Sequence, residues 1–146
     1  MCGCHHLGFC IEGDRVLLAA STRFMNESGP SYASLAHKQH VEPDRLIAVY
    51  DELDIPAGEL RVKLGGGSSH NGVKSLQQAL ASRDFLHVRI GIGRPPGRQD
   101  PADFGREPMR REVAERLADM IPHAAQAVLH VLEHGVDSAM QEYNAG

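Results

Sequence analysis

The chain is expected to fold as an α/β protein: a single domain whose twisted mixed sheet is flanked by helices. Three observations carry this. Short apolar runs, Arg15–Ala20 (RVLLAA) and Leu46–Tyr50 (LIAVY), are bounded by turn formers and have the length of buried strands. Stretches of helical period, at 31–40 and 73–81, stand between strand-type runs. The two kinds alternate, as they do in α/β architecture. A length of 146 residues suits one domain, taken here as 1–146 with an atypical stretch at 1–12.

The elements follow in order. Gly13-Asp14 reads as a turn before strand 15–20. FMNESGPSY (24–32) is rich in loop formers, and 31–40 has Tyr32, Leu35 and Ala36 on one helical face. LIAVY runs into the acidic Asp51-Glu52-Leu53-Asp54. Ile55-Pro56-Ala57-Gly58 is a turn, and ELRVKL (59–64) alternates as a half-exposed strand. After the loop GGGSSHNG, Val73, Leu76, Ala79 and Leu80 mark a helix. FLHVRIGI (85–92) alternates again. GRPPGRQDPADF (93–104) has three prolines and two glycines in twelve residues and reads as an ordered loop or lid. Met109, Val113, Leu117, Met120, Ile121, Ala124, Val128 and Val131 then repeat at helical spacing. Pro122 is expected to kink or split that helix. Gly135 fits its cap, and 138–143 adds a last turn.

Composition narrows the function classes. No apolar run approaches the ~20 residues of a membrane span, and no signal-peptide pattern opens the chain. Three cysteines, an odd number, argue against a disulfide framework and suit a reducing cytosol. The net charge is −4, yet Leu60–Arg98 holds seven basic residues and one acidic, +6 against −10 elsewhere. A basic stretch in an acidic protein suits an anion such as phosphate; chance clustering on a solvated surface is the plainer reading.

Several residues carry chemistry on their own account. Asp51 stands where a strand runs out, the end at which α/β sheets build their sites. A carboxylate there orients a histidine and stabilises its charged form, or it caps the following turn. Asn26, on a loop, offers a donor and an acceptor to a peptide backbone or ester carbonyl, or caps a helix. The glycine loop exposes backbone N–H groups before a helix N-terminus, which favours anions. It lacks the Gly-Lys-Ser/Thr of a nucleotide-binding loop. His70 or Asn71 there is also a natural helix cap. Lys63 and Arg89, on strand-type stretches, form a pair able to clamp a phosphate, or are ordinary surface charges. Cys2, Cys4, His5, His6 and Cys10 crowd the first ten residues with zinc-type ligands, although C-x-C-H-H is not a usual zinc spacing.

FMNESG (24–29), YDELDIPAG (50–58), KLGGGSSHNGVKS (63–75) and RIGIGRPPGRQDPADF (89–104), in this order, resemble the bacterial-type peptidyl-tRNA hydrolase family from about Gly13 onward. The resemblance implies hydrolysis of the ester joining peptide to tRNA, in the cytoplasm, with no metal or cofactor. It implies that Asp51 orients the catalytic histidine. It also implies that Asn26 and Asn71 hold substrate, that Phe24 lines the cleft beside them, with His70 next to Asn71, and that Lys63 with Arg89 senses the 5′ phosphate. The glycine loop is one residue shorter than the family's, with Ser68-Ser69 before His-Asn-Gly.

Two family signatures have no clear counterpart: the opening strand with its Gly-Leu-Gly-Asn-Pro-Gly turn, and Thr-Arg-His-Asn-Val-Gly-Phe, whose His is the general base. Setting Leu7-Gly8-Phe9 on Val-Gly-Phe makes His5 the candidate base. The family's helix and further strand do not fit between His5 and Asn26, so the first strand–helix unit is expected to be missing, or the match at His5 is coincidental. Family members are monomers. A sheet without its central strand shows unpaired edges, which predicts lower stability or self-association through those edges. The competing reading is an inactive homologue that binds tRNA without turnover.

Overall fold

The computed structural model describes residues 4–11, 13–22, 25–93 and 111–144. They form two compact units, one from Met1–Leu46 with Gly66–Phe85, the other from Ile47–Gly65 with Leu86–Gly146. The α/β class holds, with strands in two sheets rather than one.

The first unit opens with an antiparallel hairpin. β1 (Cys4–Ile11) pairs with β2 (Asp14–Ser21) from Cys4↔Ser21 to Ile11↔Asp14. Gly13, at φ +88°, supplies the left-handed turn residue that its hydrogen side chain permits. Strand β1 was not legible in the sequence because none of the described hairpin side chains is fully buried. Leu7 and Leu18, paired across it, are 65% and 55% exposed, so period-2 burial never marks it. The strand also disperses the Cys/His cluster. Cys4 and Cys10 lie about 20 Å apart along an extended chain, His5 and His6 point to opposite faces, and no group of three metal-ligating side chains gathers among the described residues.

A single 3₁₀ turn, Met25–Glu27, leads into α1 (Ser28–Lys38), which buries Leu35 and Ala36. The helix starts earlier than the apolar period suggests because Pro30 is tolerated in a first turn, whose N–H groups have no intrahelical partner. Tyr32 ties it to the hairpin, its hydroxyl accepting from the Ser21 N–H at 2.8 Å. α2 (Asn71–Leu80) packs beside α1 and buries Val73 and Leu76. The approach is close: the Gly29 N–H donates to Ser75 Oγ at 2.8 Å, and a Cβ on Gly29 would collide with the Ser75 carbonyl. In an open helix Gly→Ala stabilises by up to about 1 kcal/mol. Here the clash reverses the sign. Gly29→Ala is expected to destabilise by about 2–3 kcal/mol, read as a lower urea midpoint.

The second unit carries a three-stranded sheet in the order β3 (Ile47–Glu52), β5 (Leu86–Gly91), β4 (Leu60–Leu64). β3 runs parallel to β5, and β4 antiparallel to it. Leu60, Val62, Leu86, Val88 and Ile90 face one way, as alternation requires. They pack with Met120, Ala124 and Ala127 of α3 (Arg111–His134) and Ala139 of α4 (Val136–Asn144). Pro122 does not split α3: one helix runs through it. A proline removes a single hydrogen bond and crowds one carbonyl, and the buried residues on either side of it keep both halves on the sheet. Gly135, at φ +89°, ends α3, its N–H donating to the Val131 carbonyl at 2.9 Å. No described helix is long and apolar enough to cross a membrane.

Candidate functional site

The sheet of the second unit places the basic residues. β5 pairs Lys63 with His87 and Arg61 with Arg89 across β4, and Tyr50 with Arg89 across β3. Lys63 and Arg89 are therefore diagonal neighbours on one face, about 7–8 Å apart at Cα. Arg61 is held by Glu59 at 3.2 Å and by the Leu60 carbonyl at 3.0 Å. The same face carries Tyr50, Glu52 and His87, all buried. Asp51 belongs to the opposite face, level with Ile90 at the carboxyl end of β3, and is half-buried. The structure thus joins Lys63 with Arg89 and sets Asp51 on the other side of that sheet.

His87 is the buried neighbour of Lys63 and Arg89 that sequence reading did not single out. It is fully buried, and its Nδ1 lies 2.8 Å from the Tyr50 hydroxyl. Burial, with Lys63 and Arg89 beside it, lowers its pKa to about 4. The ring is neutral at physiological pH, so it adds no third positive charge to the pair. Lys63 is also lowered, by burial and by Arg89, against the pull of Glu52. Arg89 Nε is buried without a hydrogen-bond partner among the described residues. Alternation in FLHVRIGI put His87 on the Arg89 face; that this polar face is buried had no signal in the sequence.

A pH dependence follows. The unfolded chain takes up the His87 proton near pH 6.5, the folded one near 4. Between these values the unfolded state binds more protons, so stability falls as pH drops through 6.5 and the loss is complete below 4. It is worth up to about 3 kcal/mol. Urea midpoints at pH 7, 5 and 4 are expected to decline, and to decline less in His87→Gln.

In the first unit His70 caps α2: its Nδ1 accepts from the Gly72 and Val73 N–H groups at 3.1 and 3.4 Å. An accepting Nδ1 leaves the ring proton on Nε2. Asn71 is the first residue of α2, and Asn26 lies in the 3₁₀ turn packed against that helix. Both are exposed, and neither amide is hydrogen-bonded among the described residues. The glycine loop is tied down by Gln77, whose Nε2 donates to the Gly66 carbonyl at 2.8 Å. Gly65 and Gly66 take φ +69° and +86°, the left-handed region that side chains disfavour. An open groove of about 650 Å³, with Gly67, Lys74, Gln78, Ser82 and Arg83 among its walls, borders the loop.

His5 is exposed on β1, opposite Ala20. No helix lies between it and β2; the residues after it continue the same hairpin strand. Phe24 and the stretch 94–104 lie outside the described residues.

The profile of one family, peptidyl-tRNA hydrolase, matches residues 4–146. The chain belongs to the peptidyl-tRNA hydrolase family. That family consists of ester hydrolases acting on peptidyl-tRNA. The peptidyl-tRNA hydrolase of Frankia casuarinae is 45% identical over 136 residues, 92% of this chain and 69% of that protein. That of Nocardia farcinica is 44% identical over 133 residues, 90% and 69%. The crystal structure of peptidyl-tRNA hydrolase from Acinetobacter baumannii superposes with a TM-score of 0.86 at 28% identity, covering 99% of this chain and 74% of that one.

Proposed function

We propose that this chain hydrolyses the ester between peptide and tRNA in the cytoplasm, releasing tRNA for reuse. The observation that supports this most is family membership across residues 4–146; the stretches that resemble the family carry Asp51, Asn26 and Asn71. In this reading water attacks the ester carbonyl, and a base takes its proton and returns it to the leaving 3′ oxygen. His5 is the candidate base, and Asp51 orients the imidazole. Asn26 and Asn71 hold the peptidyl end and Phe24 lines the cleft. His70 presents Asn71 by capping the helix that starts there. Lys63 and Arg89 receive the 5′ phosphate: two cations on one face of the sheet repel each other, and a phosphate relieves that repulsion. Lys74 and Arg83, beside the glycine loop, suit further backbone phosphates of the acceptor end.

The test is release of tRNA from an N-acetyl-aminoacyl-tRNA. Turnover that His5→Ala abolishes supports the full assignment. Turnover that it leaves unchanged removes His5 as base, and salt-dependent binding without turnover favours the tRNA-binding alternative. Self-association belongs to the same reading. The outer edge of β3 pairs with no described strand, and Val49 on it is 49% exposed. Sedimentation is expected to show a concentration-dependent dimer; a monomer at all concentrations counts against it.

A further inference from the structure

We infer that Asn144, at the end of the last helix, is a positioning residue for Lys63. Its side-chain amide grips one residue of β4 on both sides: Oδ1 accepts from the Val62 N–H at 2.8 Å, and Nδ2 donates to the Val62 carbonyl at 2.7 Å. This is the pair of bonds that a neighbouring strand would make. Among the described residues β4 is an outer strand of its sheet, five residues long, with β5 as its one strand partner.

The antiparallel ladder explains why Val62 needs such a partner. Residues facing each other alternate between pairs that exchange hydrogen bonds and pairs that do not. The Val62 N–H and carbonyl turn outward to Asn144, so the bonds to β5 come from its neighbours, Arg61 opposite Arg89 and Lys63 opposite His87. Val62 itself is fully buried, so water is a poor substitute for the amide. β4 is thus held from two sides, by the ladder through Arg61 and Lys63 and by Asn144 between them. Loss of one side leaves a short edge strand free to fray or slip. Because side chains alternate, any slip moves Lys63 relative to Arg89. The Tyr143 and Ala139 side chains of α4 pack on the sheet and set the helix end that delivers the amide.

This inference rests on the reading that Lys63 and Arg89 receive a tRNA phosphate. Asn144→Ala is expected to raise KM for peptidyl-tRNA about tenfold, with the loss falling on KM rather than kcat, and to flatten the salt dependence of binding. Asn144→Asp keeps the acceptor for the Val62 N–H and loses the donor; its KM is expected to lie between wild type and alanine. The Val62 amide is expected to exchange faster in Asn144→Ala than in the wild type, and to keep more of its protection in Asn144→Asp, which retains the acceptor. The deciding measurement is the cycle with Lys63→Ala/Arg89→Ala, in whose background Asn144→Ala is expected to add nothing to KM. An Asn144 effect that persists there, or that falls on kcat, makes the residue merely structural and overturns the inference. If Lys63→Ala/Arg89→Ala raises KM but Asn144→Ala does not, the inference alone fails. If the double variant leaves KM unchanged, the phosphate reading fails and takes the inference with it.

Discussion

Asp51→Asn is expected to lower kcat for peptidyl-tRNA by about a thousandfold. Asn has the same shape, so the strand end and the turn after it survive. What disappears is the negative charge. A carboxylate that orients an imidazole fixes its tautomer and stabilises the imidazolium formed when water is deprotonated. Converting such a carboxylate to an amide costs up to about four orders of magnitude in a serine-protease triad. General-base catalysis as a whole contributes about 10²–10⁴-fold, so a thousandfold sits within what the base supplies. The competing role is capping of the turn through Asp54. An Asn caps turns as well as Asp does, so under that role kcat stays within a small factor of wild type. Single-turnover rates with saturating enzyme separate the two outcomes, provided the urea midpoint shows that the variant is folded.

The double variant Lys63→Ala/Arg89→Ala is expected to raise KM for peptidyl-tRNA by about 10²–10³-fold. Hydrogen bonds to charged groups contribute about 1.5–3 kcal/mol each, and the two are not fully additive. The two residues are diagonal neighbours on one face of the sheet, the spacing at which a single phosphate bridges both. The salt dependence supplies a second readout. Each lost phosphate contact is expected to reduce the slope of log K against log salt by about 0.7–0.9. A KM within a few-fold of wild type, at unchanged slope, rejects the clamp.

These predictions draw unequally on sequence and structure. Strands β4 and β5 were legible because their core faces, Val62, Val88 and Ile90 among them, repeat every second residue and are buried, and β3 was legible as a short continuous apolar run. α2 was legible from Val73 and Leu76 for the corresponding reason at helical period. β1 was not, since no described residue of the two-stranded hairpin is fully buried and no burial pattern marks it. The order β3-β5-β4 and the division of strands between two sheets also had no local signal, because strand pairing is a contact between distant residues.

By itself the sequence determined the α/β class, the family-shared stretches, and the candidates Asp51, Asn26, Asn71, Lys63 and Arg89, since residue type and local period are one-dimensional properties. Only the tertiary structure decided which of them meet. β5 brought Lys63 beside Arg89 and set Asp51 on the opposite face, and it buried the neutral His87 between the cations and Tyr50. Asn144 reached Val62 across 82 positions of chain. The physical reason is the same throughout. A side chain's charge, partners and hydrogen bonds depend on what the fold packs against it, and that is a property of contacts, which no short stretch of chain contains.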